Sequence, residues 1–200
     1  MGETRKAIEL YEQALAIHRD IGDRRGEGAG LGNLGLAYAD LGETRKAVES
    51  HQQALAIHCE IGDRRAEGQD LGNLGNACAD LGETRKAIEF HERALAIDRD
   101  IGDRHGEGAD LGNLGLAYAD LGETPEAIEF YEQALAIARE IGDHRGEATG
   151  LWNISLAMEK VGQRAQAVAS AQASLDLLDQ IEDPHVEMVR NRLAEWRKAK

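Results

Sequence analysis

The stretch that decides the fold is Leu31–Ala47, LGNLGLAYADLGETRKA. It returns with the same spacing at 71–87 (LGNLGNACADLGETRKA) and 111–127 (LGNLGLAYADLGETPEA), and in worn form at 151–167 (LWNISLAMEKVGQRAQA). Working outward, the chain aligns without gaps at a period of 40 as Gly2–Leu41, Gly42–Leu81, Gly82–Leu121, Gly122–Val161 and Gly162–Lys200. The first and third units differ only at Leu10/Phe90, Tyr11/His91, Gln13/Arg93, His18/Asp98, Arg25/His105 and Gly30/Asp110, leaving 34 identities in 40. Repetition on this scale marks an array in which each unit buries its apolar face on its neighbours. The fifth unit keeps the spacing and loses the identity, as a terminal unit facing solvent should.

Each unit holds two helical patterns. With Arg25 at 0° and about 100° per residue, Glu27, Leu31, Leu34, Tyr38 and Leu41 fall in one sector, with Gly28 and Gly35 at its edge. In Thr44–Ile61 the side formed by Ala47, His51, Ala54, Leu55, His58 and Ile61 is apolar or aromatic. Neither pattern alternates as a strand would. Gly22, Gly62, Gly102 and Gly142 stand where a left-handed helix stop is expected, and Gly42, Gly82 and Gly122 at the other turn. Asp23, Asp63, Asp103 and Asp143 follow as N-caps. Thr124-Pro125 and Asp183-Pro184 read as a cap before a proline at the first helical position. Glycines such as Gly28, Gly32 and Gly35 lie inside helices, where each costs about 1 kcal/mol relative to alanine. Close helix–helix approach must offset that cost. The fold expected is all-α, an α-solenoid of stacked antiparallel helix pairs with about ten helices.

Composition narrows the function classes. Aromatics are 4% of residues, so Ala and Leu must fill the core. The formal net charge of −14 is the wrong sign for a nucleic-acid surface. No apolar run approaches the ~18 residues of a membrane span, and the start, MGETRK, has no apolar signal stretch. Cys59 and Cys78 form no metal or disulfide spacing, which suits the cytoplasm. No Ser/His/Asp grouping, HExxH, P-loop or GxSxG occurs, so no catalytic residue, cofactor or metal is expected. His51 with His58, and His91 with Asp98, form a Zn(II) set only on paper. Tyr11, Tyr131 and Ala138 hold equivalent places, and i,i+7 spacing separates side chains by ~10 Å. Core histidine is the better reading.

Leu31, Leu34, Gly35, Tyr38, Gly42, Ala47, His51 and Ala54 occupy, in order, the consensus offsets of the tetratricopeptide repeat (TPR), and the chain resembles that family over its whole length. The period of 40 and the IGDRRxEG linker are similar to the Pins/LGN and kinesin light-chain groups and to bacterial TPR arrays. The family's helix-ending proline is absent, with Cys59 near its place. The register then gives a single array over 1–200: an orphan second helix at 3–21, full motifs at 24–62, 64–102, 104–142 and 144–182, and a capping helix at 184–198. A start inside a motif is read as an excised fragment or as a chain that takes the missing helix from a partner.

The resemblance implies a right-handed superhelix with first helices lining a concave face, and a protein or peptide ligand held there. On the same wheel that face carries Asn33, Asn73, Asn113 and Asn153, the basic row Arg25, Arg65, His105 and Arg145, and Leu36, Asn76, Leu116 and Leu156. An amide both donates and accepts, so an Asn row can bridge the backbone of an extended peptide. The TPR superhelix of O-GlcNAc transferase uses such a row at this offset. The alternative is that each Asn bonds its neighbouring helix. The basic row pairs either with acidic ligand side chains or with Glu27, Glu67, Glu107 and Glu147 of neighbouring motifs. The family's clamp for C-terminal carboxylates needs Lys and Arg where this chain has Ala29, Gly32, Gln69 and Gly72, so a chaperone-tail receptor is not expected. Leu10, Ala14 and Ile17 at one end, and Val189, Leu193 and Trp196 at the other, are candidate faces for head-to-tail homo-oligomers. The leading function is a non-catalytic peptide-binding scaffold. The runners-up are a sensor or oligomerisation array from a larger signalling protein, and a recently duplicated or engineered array.

Overall fold

The computed structural model describes residues 2–198. Among them it forms ten α-helices and no strand: α1 Gly2–Ile21, α2 Arg24–Asp40, α3 Thr44–Ile61, α4 Arg64–Asp80, α5 Thr84–Ile101, α6 Arg104–Leu121, α7 Thr124–Ile141, α8 His144–Lys160, α9 Arg164–Gln180 and α10 Val186–Lys198. Short turns join successive helices into antiparallel pairs, and the fold is an α-solenoid. The described residues gather into two compact units, one up to Gly106 and one from Glu107. In the first, α1 to α5 pack in chain order; in the second, α7 packs on α8, α8 on α9 and α9 on α10.

The turns work as the glycines and aspartates require. Gly62 ends α3 in the left-handed region (φ 72°), and the Asp63 N–H closes the turn on the His58 carbonyl at 2.9 Å. Asp23, Asp103 and Asp143 then accept a side-chain hydrogen bond from the N–H three residues on, at 2.9, 3.1 and 2.9 Å. Two expected caps differ. Glu123, not Thr124, stands at the cap of α7 and offers no side-chain bond, and Thr124 is already helical and buried. At the other, Asp183 accepts from the His185 N–H at 2.9 Å, so Pro184 and His185 form a turn and α10 starts at Val186 rather than 184.

Apolar burial follows the 3.6-residue pattern. Leu31, Leu34 and Ala37 of α2 meet Ile8 and Leu15 of α1 and Ala54 and Ile57 of α3. Ile57, not Ile61, carries that side of α3, because Ile61 sits at the helix end and stays exposed. Leu71, Leu74, Leu111 and Leu114 are shut off from solvent, each such side chain contributing about 1.5–3 kcal/mol.

The interior glycines seat rings. A Cβ on Gly35 would lie 2.5 Å from Nε2 of His51, one on Gly75 2.5 Å from Nε2 of His91, and one on Gly115 would strike the Tyr131 ring. Each ring comes from the second helix of the same motif. The absent methyl lets the two helices close on it.

One expectation is corrected at the C-terminal end. Val189, Leu193 and Trp196 are 1%, 2% and 4% exposed, packed with Ala167, Ala171, Leu175 and Leu178 of α9 and Ala148 of α8. Arg164 also holds the Trp196 carbonyl with two N–H groups at 3.0 and 2.7 Å. The stripe is core of this chain, so these three side chains are not an exposed face for a second copy.

Candidate functional site

In the first unit, α2 and α4 frame an open cavity of about 230 Å³. Ala29, Gly32, Asn33 and Leu36 come from α2, and Ala66, Gln69, Asp70 and Asn73 from α4. Asn33 is exposed and Asn73 half-buried, as are Asn113 and Asn153 at the matching places of α6 and α8. Among the described residues none of these four amides hydrogen-bonds to another protein group. Leu36, Asn76 and Leu116 are exposed and Leu156 half-buried on the same helix face. In the first unit the arrangement puts Asn33 and Asn73, with unused donors and acceptors, beside the small side chains of Ala29, Gly32 and Ala66, which admits a close-lying backbone.

Within the protein, three members of the basic row pair with aspartates and not with the glutamates considered for them. Arg25 reaches Asp63 at 2.7 Å, Arg65 reaches Asp103 at 2.9 Å and Arg145 reaches Asp183 at 2.6 Å. Each guanidinium thus clasps the aspartate that starts the next first helix, a strap from one motif to the next. His105 holds the corresponding place with a shorter side chain. The glutamates pair with other arginines. Glu27 is held by Arg19 at 2.8 Å and Arg24 at 2.5 Å, Glu67 by Arg64 at 2.6 Å and Glu147 by Arg139 at 2.7 Å. The Arg19 bond leads in holding the Glu27 carboxyl below its ordinary range. The reason a wheel misses the straps is length: guanidinium arms span to the neighbouring turn, 38 or so residues on.

Asp183 has several partners. The His185 backbone N–H, the His185 ring and Arg145 hold its pKa down at about 2. An acid depressed in the folded chain stabilises it above the unfolded pKa, near 4, and loses that contribution as pH falls through the folded value. The seat of α10 should therefore be at full strength above about pH 4 and weaken between there and pH 2. Fluorescence of Trp152 and Trp196, whose rings stack 6.1 Å apart, is the readout. Asp183→Asn should flatten that part of the profile.

His51 and His58 resolve differently from a metal pair. Both turn Nδ1 toward one buried carboxylate of α4: His58 bonds Asp70 at 2.6 Å, while His51 stands 3.5 Å from the other oxygen and has no hydrogen-bond partner. Their Nε2 edges face Gly28 and Gly35 of α2. Among the described residues no group of three or more His, Cys, Asp or Glu is placed to hold a metal ion. The two imidazoles pin α3 between its neighbours.

Sequence reading missed Asp70. The signal was present in the units themselves: His51 and His91 stand one helix before Asp70 and Asp110, whereas Tyr11 and Tyr131 stand before Gly30 and Gly150. Of the remaining candidates, Leu10 and Ile17 of α1 are 55% and 61% exposed and Ala14 is half-buried. Among the described residues, no helix is long and apolar enough to cross a membrane.

A model of the tetratricopeptide repeat matches residues 1–60, 70–140 and 108–180. A search of curated proteins returns no match. Among solved structures, BtubC (BKLC) from P. vanneervenii is similar over 98% of this chain and 84% of its own, with 18% identity and a TM-score of 0.85. The nearly identical TPR-like repeats of a candidate kinesin light chain from Podosopora anserina cover 90% and 89%, with 24% identity and a TM-score of 0.75. A Rap protein solved with competence and sporulation factor is similar over 98% of this chain and 59% of its own, with 17% identity and a TM-score of 0.70. At these identities the likeness is one of fold.

Proposed function

The chain belongs to the tetratricopeptide-repeat family, and on that footing we propose that it is a non-catalytic scaffold holding an extended peptide along the Asn-bearing face of its first helices. The observation that carries this reading is the set of four amides at one repeat offset, exposed or half-buried, that bond no protein group among the described residues. A lone amide on water needs no explanation. Four recur at one offset, three of them preceded by Gly32, Gly72 and Gly112 and the fourth by Trp152, and each amide can both donate to and accept from a peptide backbone. The Rap structure, solved with a bound factor, lends support from the fold. Cys59 and Cys78, both free thiols, fit a reducing compartment such as the cytoplasm.

The test begins with peptides selected from a random twelve-residue display library. Asn73→Ala and Asn113→Ala should each weaken binding about tenfold, the loss of two backbone hydrogen bonds at about 0.5–1.5 kcal/mol each. The melting temperature should stay within about a degree, because surface substitutions without a protein partner cost little. Unchanged affinity, or a melting loss that tracks the affinity loss, would overturn the reading.

Self-association is a second reading, favoured by the exposed Leu10 and Ile17 of α1. Its surface is α1 alone, since the α10 stripe is buried. Ile17→Lys should abolish any concentration-dependent growth in sedimentation coefficient without changing the helical circular dichroism.

A further inference from the structure

The second unit holds a cavity at the place that corresponds, three repeats on, to the one between α2 and α4, but with a different lining. It measures about 280 Å³ and lies between α8, α9 and α10. Trp152 forms one wall where Gly32, Gly72 and Gly112 stand in the other units, and Leu178, Val189 and Met188 complete an apolar surround. Met188, at the mouth, is exposed.

The polar groups in the lining are already engaged. Ser174 Oγ donates to the Ala148 carbonyl at 2.8 Å, and Thr149 Oγ1 to the Arg145 carbonyl at 3.0 Å. Asp183 is buried and held by Arg145 and His185. A polar occupant would therefore lose its water and gain no partner, whereas an apolar one gains by leaving water. At the rim the signs are separated. The anion is buried, while the side chains of Arg145 and His185 are 69% and 67% exposed. An arriving ligand meets a guanidinium with donors to spare and an imidazole edge, the complement of a carboxylate. Arg145 and Thr149 belong to the same face of α8 as Asn153, so the cavity opens beside the amide row.

We infer that this cavity seats one bulky apolar side chain of the bound peptide, with the carboxylate of the adjoining residue against Arg145 and His185. The inference deepens the peptide-holding reading and rests on it for the rest of the ligand. It assigns a specificity that the sequence-neutral Asn row lacks: a Leu-Glu or Phe-Asp type pair, read at the fourth motif.

The first probe is N-acetyl-Leu-Glu-amide, two residues that fill the cavity without running along the amide row. It is titrated at millimolar concentration while the two indole N–H signals are followed by NMR. The Trp152 signal should shift and saturate. Replacing Leu by Ala in the probe should weaken binding at least about tenfold, the scale of burying one such side chain, and Glu by Gln about threefold. Met188→Asp places a like charge at the mouth without entering the core and should abolish the shift with melting retained; Met188→Leu should preserve it. An unmoved Trp152 signal, or equal binding of the Leu and Ala probes, overturns the inference. The Asn row is judged separately on the twelve-residue peptides, so the two readings fail on different probes.

Discussion

Asp70→Ala is expected to destabilise the chain by about 3 kcal/mol, the scale of leaving buried polar partners unmatched. Asp70, His51 and His58 are all buried; the carboxylate bonds His58 at 2.6 Å and faces the His51 Nδ1 at 3.5 Å. Its loss orphans the His58 Nδ1 and removes the carboxylate that the already unbonded His51 Nδ1 faces. It also opens a hole between α3 and α4, which relaxes only in part. Because each motif meets only its neighbours, the damage should be local and visible as a lower urea midpoint for the first unit. The chain supplies its own remedy. The repeat Gly2–Leu41 carries Tyr11 and Gly30 where the repeat Gly42–Leu81 carries His51 and Asp70, and there His18 bonds the capping Asp23 at 2.9 Å. His51→Tyr combined with Asp70→Gly should therefore recover at least half of what Asp70→Gly alone loses, a positive coupling read by a double-mutant cycle. Additive losses would show that the His–Asp cluster is not the unit of packing.

The second large effect is a pair of opposite signs at two helical glycines. Alanine normally gains about 1 kcal/mol over glycine inside a helix. Gly112→Ala should show that gain, since a Cβ there meets nothing within 4 Å. Gly35→Ala should instead lose about 2 kcal/mol net, overpacking having outweighed propensity. Its Cβ would fall 2.5 Å from the His51 Nε2, and the ring has no retreat with Asp70 and α4 behind it. Melting curves of the two variants, differing by about 3 kcal/mol in total, separate glycines that seat a ring from glycines that open the groove. If Gly112→Ala is also weaker for the selected peptides, the groove glycines are there for the ligand's approach.

Much of the fold is legible in the sequence because it is local. A helix start at Asp63, a stop at Gly62 and the burial of Leu71 and Leu74 each depend on residues within a turn or two, where the 3.6-residue period speaks directly. The matching places of Asn33, Asn73, Asn113 and Asn153 on α2, α4, α6 and α8 are legible for the same reason. What lay outside reach depends on a second helix. The wheel places His51 and His58 inward without saying that Asp70 waits there. It places Arg25 outward without saying that its arm is long enough to clasp Asp63. Val189, Leu193 and Trp196 make an apolar stripe that covers or is covered, and only the packing of α9 against α10 decides which. Thr124 misled because a hydroxyl before proline is a common cap, while here Glu123 takes that backbone place.

The most direct test of the peptide-holding account is the side-chain NH₂ spectrum of the asparagines during titration with a library-selected twelve-residue peptide. The account predicts that the amide pairs of Asn33, Asn73, Asn113 and Asn153 shift together and gain protection from solvent exchange, while Asn191 stays put. Shifts confined to the second-type helices, with those four amides unmoved at saturation, would contradict it.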